Sequence, residues 1–165
     1  MKVAVLDNLR SVYNVGSIFR TCNAVGIEKI YLCGTTPTPL DKKGIKRKDF
    51  TKVALGAEEN VAWEYNDDSR FMIHDLRSKG YYIISLEQAE GSVDYKDVNI
   101  KSSSANGYGE TRENVAFVIG NEVDGIGKEI LDESDVIAEI PMLGTKESLN
   151  VTIAFGIAVY RILGV

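Results

Sequence analysis

The stretch Val115-Ala116-Phe117-Val118-Ile119-Gly120-Asn121-Glu122-Val123-Asp124-Gly125-Ile126-Gly127 runs from five apolar residues directly into a glycine-rich turn that holds two carboxylates. A short apolar run bounded by a turn signal fits a strand buried on both faces. In open α/β sheets, ligands bind beyond the carboxyl ends of strands, where such turns lie. Gly120, Gly125 and Gly127 superficially suggest a dinucleotide fingerprint. Their spacing is wrong for it, the strand comes late in the chain, and Glu122 and Asp124 would repel a pyrophosphate. A ligand of positive or neutral character fits this turn better than NAD.

Working outward, strand and helix signals alternate. Lys2–Leu6, Lys29–Cys33, Tyr81–Leu86 and Val136–Ile140 read as further strands. From Val15 the apolar residues Val15, Ile18, Phe19, Cys22 and Val25 recur at helical spacing and stop at Gly26, with Asn14 as N-cap. Asp67–Lys79, Gly127–Leu131 and Leu149–Leu163 read as three more helices, and Thr35–Asp49 as a long loop. Ser102–Gly109, with Tyr108, reads as a surface turn. The pattern is an α/β fold with a mostly parallel sheet flanked by helices, and residues 1–165 form one domain.

Composition narrows the class. An apolar fraction of 44% with 26% charged residues excludes a disordered chain. The opening Met1–Asp7 meets an acid after four apolar residues, too soon for a signal-peptide core, and no run approaches a membrane span. The expectation is a soluble cytoplasmic protein that contacts no membrane. Cys22 and Cys33 sit in apolar contexts and read as reduced core thiols. His74 is the one histidine and has no cluster of ligands around it, so metal-dependent chemistry is not expected.

The net charge of −5 argues against indiscriminate binding to polyanions. Against that background Lys42, Lys43, Lys46, Arg47, Lys48 and Lys52 crowd one short window. They read either as a solvated loop or as a local phosphate-binding patch. Arg20, one turn after Gly16 on a largely apolar helix, is either half of a structural ion pair or an anion reader. The last helix carries a stripe of Val151, Ala154, Phe155, Ala158, Val159 and Ile162, with Ile153, Ile157 and Leu163 outside it. A helix apolar nearly all round needs cover on more than one side, so a homodimer is expected.

A third cluster, Ile140-Pro141-Met142-Leu143-Gly144-Thr145-Lys146-Glu147-Ser148-Leu149-Asn150, ends a strand and opens that helix. Ser148 reads as its N-cap. A serine nucleophile is not supported, because no G-x-S-x-G elbow is present and His74 has no assignable place beside it.

Together, Asn14-x-Gly16-x-x-x-Arg20, Ile119-Gly120-Asn121-Glu122-x-x-Gly125 and Ile140-Pro141-Met142-x-Gly144-x-x-x-Ser148-Leu149-Asn150-Val151 resemble the motif set of the SpoU (TrmH-like) branch of the SPOUT RNA methyltransferases. Val53–Glu59 also looks like the region that follows the family's first motif. The resemblance covers essentially the whole chain. It implies a deep C-terminal trefoil knot, S-adenosylmethionine as cofactor, and a dimer that shares the site between subunits. It implies methyl transfer to a ribose 2′-hydroxyl of tRNA or rRNA, without a metal. Carried over, Asn14, Arg20, Glu122, Ser148 and Asn150 are the catalytic set, with Arg20 central. The backbone around Leu86, Gly120, Ile140 and Leu149 is the cofactor pocket. The basic window from Lys42 to Lys52 becomes an RNA contact, and Ser102–Gly109 either a second one or a plain loop. Relatives with added RNA-binding domains contrast with the short flanks of these motifs, which favours a minimal catalytic domain acting on tRNA.

Two other readings stay in view. One is an RNA-binding module of the same fold that no longer methylates. The other is a nucleotide-dependent, doubly wound enzyme, whose phosphate loop should follow the first strand; Asp7-Asn8-Leu9-Arg10 is not glycine-rich.

Overall fold

The computed structural model describes residues 1–100 and 112–165. Ser102–Gly109 lies outside the described residues. The strands β1 (Lys2–Asp7), β2 (Lys29–Cys33), β3 (Ala62–Asn66), β4 (Tyr82–Leu86), β5 (Val93–Asp94), β6 (Val115–Ile119) and β7 (Val136–Glu139) form one sheet in the order β3-β2-β1-β6-β4-β7-β5. Every strand pair in it is parallel. The helices are α1 (Val12–Val25), α2 (Lys48–Ala54), α3 (Ala57–Asn60), α4 (Ser69–Ser78), α5 (Lys128–Leu131) and α6 (Val151–Leu163).

Alternation along the central strands builds two cores. Ala4 and Leu6 of β1, with Phe117 of β6, face a cluster completed by Phe19 of α1, Phe50 of α2 and Phe155 of α6. Val3, Val5 and Val118 face the opposite cluster, filled by Met72, Ile73 and Leu76 of α4 and Ile130 of α5. A parallel sheet covered on both faces requires the continuous apolar runs that β1 and β6 carry. All five residues of β6 are buried. Cys22 and Cys33 are free, buried thiols. Burial raises both, and Cys33, with Asp7 close by, is pushed up to about 12.

Local details differ from the sequence expectation at both motif-bearing helices. The N-cap of α1 is Ser11, whose Oγ accepts from Asn14 N–H at 3.3 Å; Asn14 stands in the first turn instead. The N-cap of α6 is Asn150, not Ser148, and its Oδ1 accepts from Thr152 N–H at 2.9 Å. The loop after β2 also ends sooner than read. Asp41 Oδ1 accepts from the N–H groups of Lys43 and Ile45, closing a turn, and α2 then begins at Lys48. Lys48 and Lys52 therefore stand on a helix. No helix among the described residues is long and apolar enough to cross a membrane.

Candidate active site

Strands β4, β6 and β7 end side by side, and the first turns of α6 pass over those ends. The space between them is a cavity of about 490 Å³. Leu86, at the end of β4, Gly120, just past β6, Ile140, just past β7, and Leu149, before α6, all line it. Its charged lining is acidic: Glu87, Glu122, Asp124 and Glu139 contribute to the wall, and no lysine or arginine among the described residues does. A wall of that character suits a cationic or neutral ligand and disfavours a phosphate.

The Gly120–Gly125 turn is folded too tightly for side chains at its two ends. A Cβ on Gly120 would come within 2.4 Å of Gly125 carbonyl atoms and 2.6 Å of Ile126 N. Gly125 adopts φ +68°, in the left-handed region. Asn121 pins the turn from inside. Its Oδ1 accepts from Val123 N–H and Asp124 N–H, while its Nδ2 donates to the carbonyl of Asn8 at 2.8 Å. The turn is thereby fastened to the end of β1.

Glu122 reaches the other way, to α1. Its carboxylate accepts from the N–H groups of Arg10 and Ser11 at 3.1 and 3.4 Å, and from Asn14 Nδ2 at 2.7 Å. Partial burial pushes the Glu122 carboxyl up, but the hydrogen bonds from Asn14 and these backbone groups outweigh it and hold it below its ordinary value. Asn14 Oδ1 in turn accepts from Asn150 Nδ2 at 3.4 Å. Asn14, Glu122 and Asn150, one from each sequence motif, thus form a continuous polar network. Ser148 lines the cavity but makes no hydrogen bond to that network.

Arg20 stands apart. Six residues beyond Asn14 on α1, it lies about 9 Å farther along the helix axis. It is exposed, forms no side-chain hydrogen bond or ion pair among the described residues, and does not line the cavity. Gly16, one turn earlier, lets α2 approach: a Cβ there would meet the Val53 side chain at 3.0 Å. The basic window therefore lies beside α1. Within it, Lys46 pairs with Glu59 at 2.6 Å and Arg47 with Asp49 at 2.7 Å. Lys42, Lys43, Lys48 and Lys52 are exposed and make no ion pair among the described residues.

The motif reading gave no role to Asn8, Glu87 or Asn121; Glu87 and Asn121 line the cavity, and the Asn8 carbonyl anchors Asn121. Each is a polar residue one or two positions past a strand end, the one signal that could have marked them.

The geometry has counterparts among known proteins. The chain is 28% identical over 159 residues to the tRNA (guanosine(18)-2′-O)-methyltransferase of Aquifex aeolicus, covering 96% of this chain and 67% of that protein. It is 29% identical over 152 residues to the 23S rRNA (guanosine-2′-O-)-methyltransferase RlmB of Neisseria meningitidis, covering 92% and 54%. The AdoMet-bound rRNA methyltransferase from Sinorhizobium meliloti superposes with a TM-score of 0.81 at 28% identity, over 97% of this chain and 54% of that one. The TrmH/SpoU tRNA modifying enzyme of A. aeolicus does so with a TM-score of 0.78 at 26% identity, over 99% and 74%. The chain thus spans between about half and two thirds of the length of these two sequence relatives. The model of the SpoU rRNA Methylase family matches residues 1–160, so the match contains every strand, the acidic cavity and all three segments joined by the Asn14–Glu122–Asn150 network, and the chain belongs to that family.

Proposed function

We propose that this protein uses S-adenosylmethionine to methylate a ribose 2′-hydroxyl of RNA, with residues 1–165 serving as one catalytic domain. The observation that carries the reading is the cavity at the ends of β4, β6 and β7, whose charged lining among the described residues is acidic, in a chain of this family. Relatives named for tRNA and for rRNA 2′-O-methylation support RNA as substrate, and tRNA is the class to test first. A cytoplasmic location goes with such a substrate.

The residues fit the cofactor. Gly120 leaves backbone accessible where a side chain could not be accommodated, and the acids around the cavity complement a sulfonium and an ammonium. When bound, the cofactor supplies an activated methyl group, so transfer needs no metal. The chain's own part is to position and to stabilise charge. Glu122, Asn14 and Asn150 hold the α1 entry, the cavity turn and the start of α6 in one arrangement. Arg20 offers its exposed guanidinium to the alkoxide that develops as the hydroxyl is attacked. In this reading it acts as an electrostatic stabiliser, and a nearby phosphate or water takes the hydroxyl proton.

Arg20 lies outside the cavity of its own chain, and the proposal therefore includes a homodimer in which α1 of one copy borders the cavity of the other. The outer face of α6 supports this: Ile153 is 53% exposed, Ile157 39% and Tyr160 43%. Lys42, Lys43, Lys48 and Lys52 would meet RNA phosphates, with Lys46 and Arg47 engaged once released from Glu59 and Asp49. A C-terminal trefoil knot is part of the same reading. It is supported by the insertion of β6 between β1 and β4, and by the return of the chain from β7 to α6.

Calorimetric titration with S-adenosylhomocysteine tests the cofactor first. Binding at micromolar strength, about −8 kcal/mol, is expected. Labelled methyl transfer to tRNA and rRNA pools, followed by nucleoside analysis for 2′-O-methylation, then tests the reaction. A folded protein that neither binds the ligand nor, with RNA present, transfers methyl would overturn the proposal.

A further inference from the structure

Glu87 occupies the junction between the two predicted cofactor contacts Leu86 and Gly120. Its backbone is fixed, because its N–H donates to the carbonyl of Ala138 at 3.1 Å and extends the β4–β7 ladder. Its side chain then reaches across the cavity wall. Oε2 accepts from Ile126 N–H at 2.9 Å, and Oε1 accepts from Gln88 N–H at 2.8 Å. The fit is close: a Cβ on Gly125 would lie 2.5 Å from Oε2. Ile126 N is also among the atoms against which Gly120 packs, with the Gly125 carbonyl. One carboxylate oxygen thus holds the turn at the point where its two ends meet. Asn121 ties the turn to β1 and Glu122 ties it to α1. Glu87 supplies the remaining tie, to β4.

We propose that Glu87 is a positioning residue for the cofactor cavity: by accepting the Ile126 N–H it sets the separation between the end of β4 and the Gly120 turn. The inference rests on the cofactor reading above. It requires an acceptor at the full reach of a glutamate side chain, and it does not require the negative charge. Glu87→Gln keeps length and an acceptor oxygen. Glu87→Asp keeps the charge but draws the carboxylate back by one methylene.

The test combines two readouts on the full-length protein and these two variants. One is the dissociation constant of S-adenosylhomocysteine by calorimetry. The other is hydrogen exchange at the Ile126 amide without ligand. Thermal melting establishes that each variant is folded. Glu87→Gln should bind within about threefold of the native protein and keep the amide protected, whereas Glu87→Asp should weaken binding by about tenfold or more and expose the amide to exchange. Equal binding and equal protection in all three proteins would overturn the proposal. So would losses as large in Gln as in Asp, which would make the negative charge a requirement in addition to the reach. If the native protein fails to bind the ligand, the cofactor reading falls, while the exchange contrast still decides whether Glu87 holds the turn.

Discussion

Asn14 Nδ2 donates to Glu122 Oε1 at 2.7 Å across 108 positions of sequence, and this bond joins the first turn of α1 to the turn that closes the cavity. Glu122 also accepts two backbone N–H groups at the entry to α1. It therefore does for this helix what an acidic residue near a helix N-terminus does generally, except that it comes from a distant segment. In the proposed methyltransferase this bond couples the geometry of the cavity turn to the helix that carries Arg20.

Arg20 is exposed and has no side-chain partner among the described residues, so its removal should leave the fold intact. Arg20→Ala is expected to abolish methyl transfer, by about a hundredfold or more if it stabilises the alkoxide. The S-adenosylhomocysteine dissociation constant should stay within a few fold of native. Loss of cofactor binding together with activity would instead make the arginine structural.

The Glu122 carboxyl lies below its ordinary value of 4.5 in the folded protein. Such a group adds stability that is fully present above the unfolded value and is lost as pH falls through the folded one. The difference in melting temperature between native protein and Glu122→Gln should therefore be open at pH 7 and close progressively below pH 4.5. A gap that stays constant down to pH 3 would contradict the charge-dependent network.

Lys42, Lys43, Lys48 and Lys52, which make no ion pair among the described residues, separate from the paired Lys46 and Arg47. Reversing Lys42, Lys43, Lys48 and Lys52 to glutamate should weaken RNA binding and reduce the salt slope of log K by up to about 3, at roughly 0.7 per phosphate contact. Reversing Lys46 and Arg47 alone should change it less, since Glu59 and Asp49 already neutralise them. Filter binding at several salt concentrations reads both. An unchanged slope in the four-lysine variant would return this surface to simple solvation.

Ile157 projects from the outer face of α6. Ile157→Asp would place a charge in a dimer interface but costs little on a free surface. Sedimentation should show a native dimer and a monomeric variant with unchanged thermal unfolding at low concentration. A native protein that sediments as a monomer would remove both the dimer and the shared site.

Much of the fold was legible because it is written in local periodicity. The apolar runs at Lys2–Leu6 and Val115–Ile119 mark strands buried on both faces, and the structure places them side by side at the centre of the sheet. The region from Lys48 to Asn66 was not legible in that way. It holds two short helices and an edge strand whose residues are mostly half-buried or exposed, so no strong period distinguishes it. The caps show a finer limit. Ser11 and Asn14, like Ser148 and Asn150, are all good cap types, and only backbone geometry selects between them. At α1 Glu122 engages the Asn14 side chain, leaving Ser11 as the cap.

By itself, the sequence determined the alternation of strands and helices, the apolar character of both sheet faces, the isolated basic window and the three motif segments. Those features depend on residues near one another in the chain, where side-chain period and turn chemistry act directly. Tertiary structure alone decided that β6 enters between β1 and β4, that the motif residues Asn14, Glu122 and Asn150 meet while Arg20 stays outside the cavity, and that Glu87 and Asn121 hold its wall. Parallel strand pairing and side-chain hydrogen bonds join residues tens to more than a hundred positions apart, and no local pattern encodes which of them will meet.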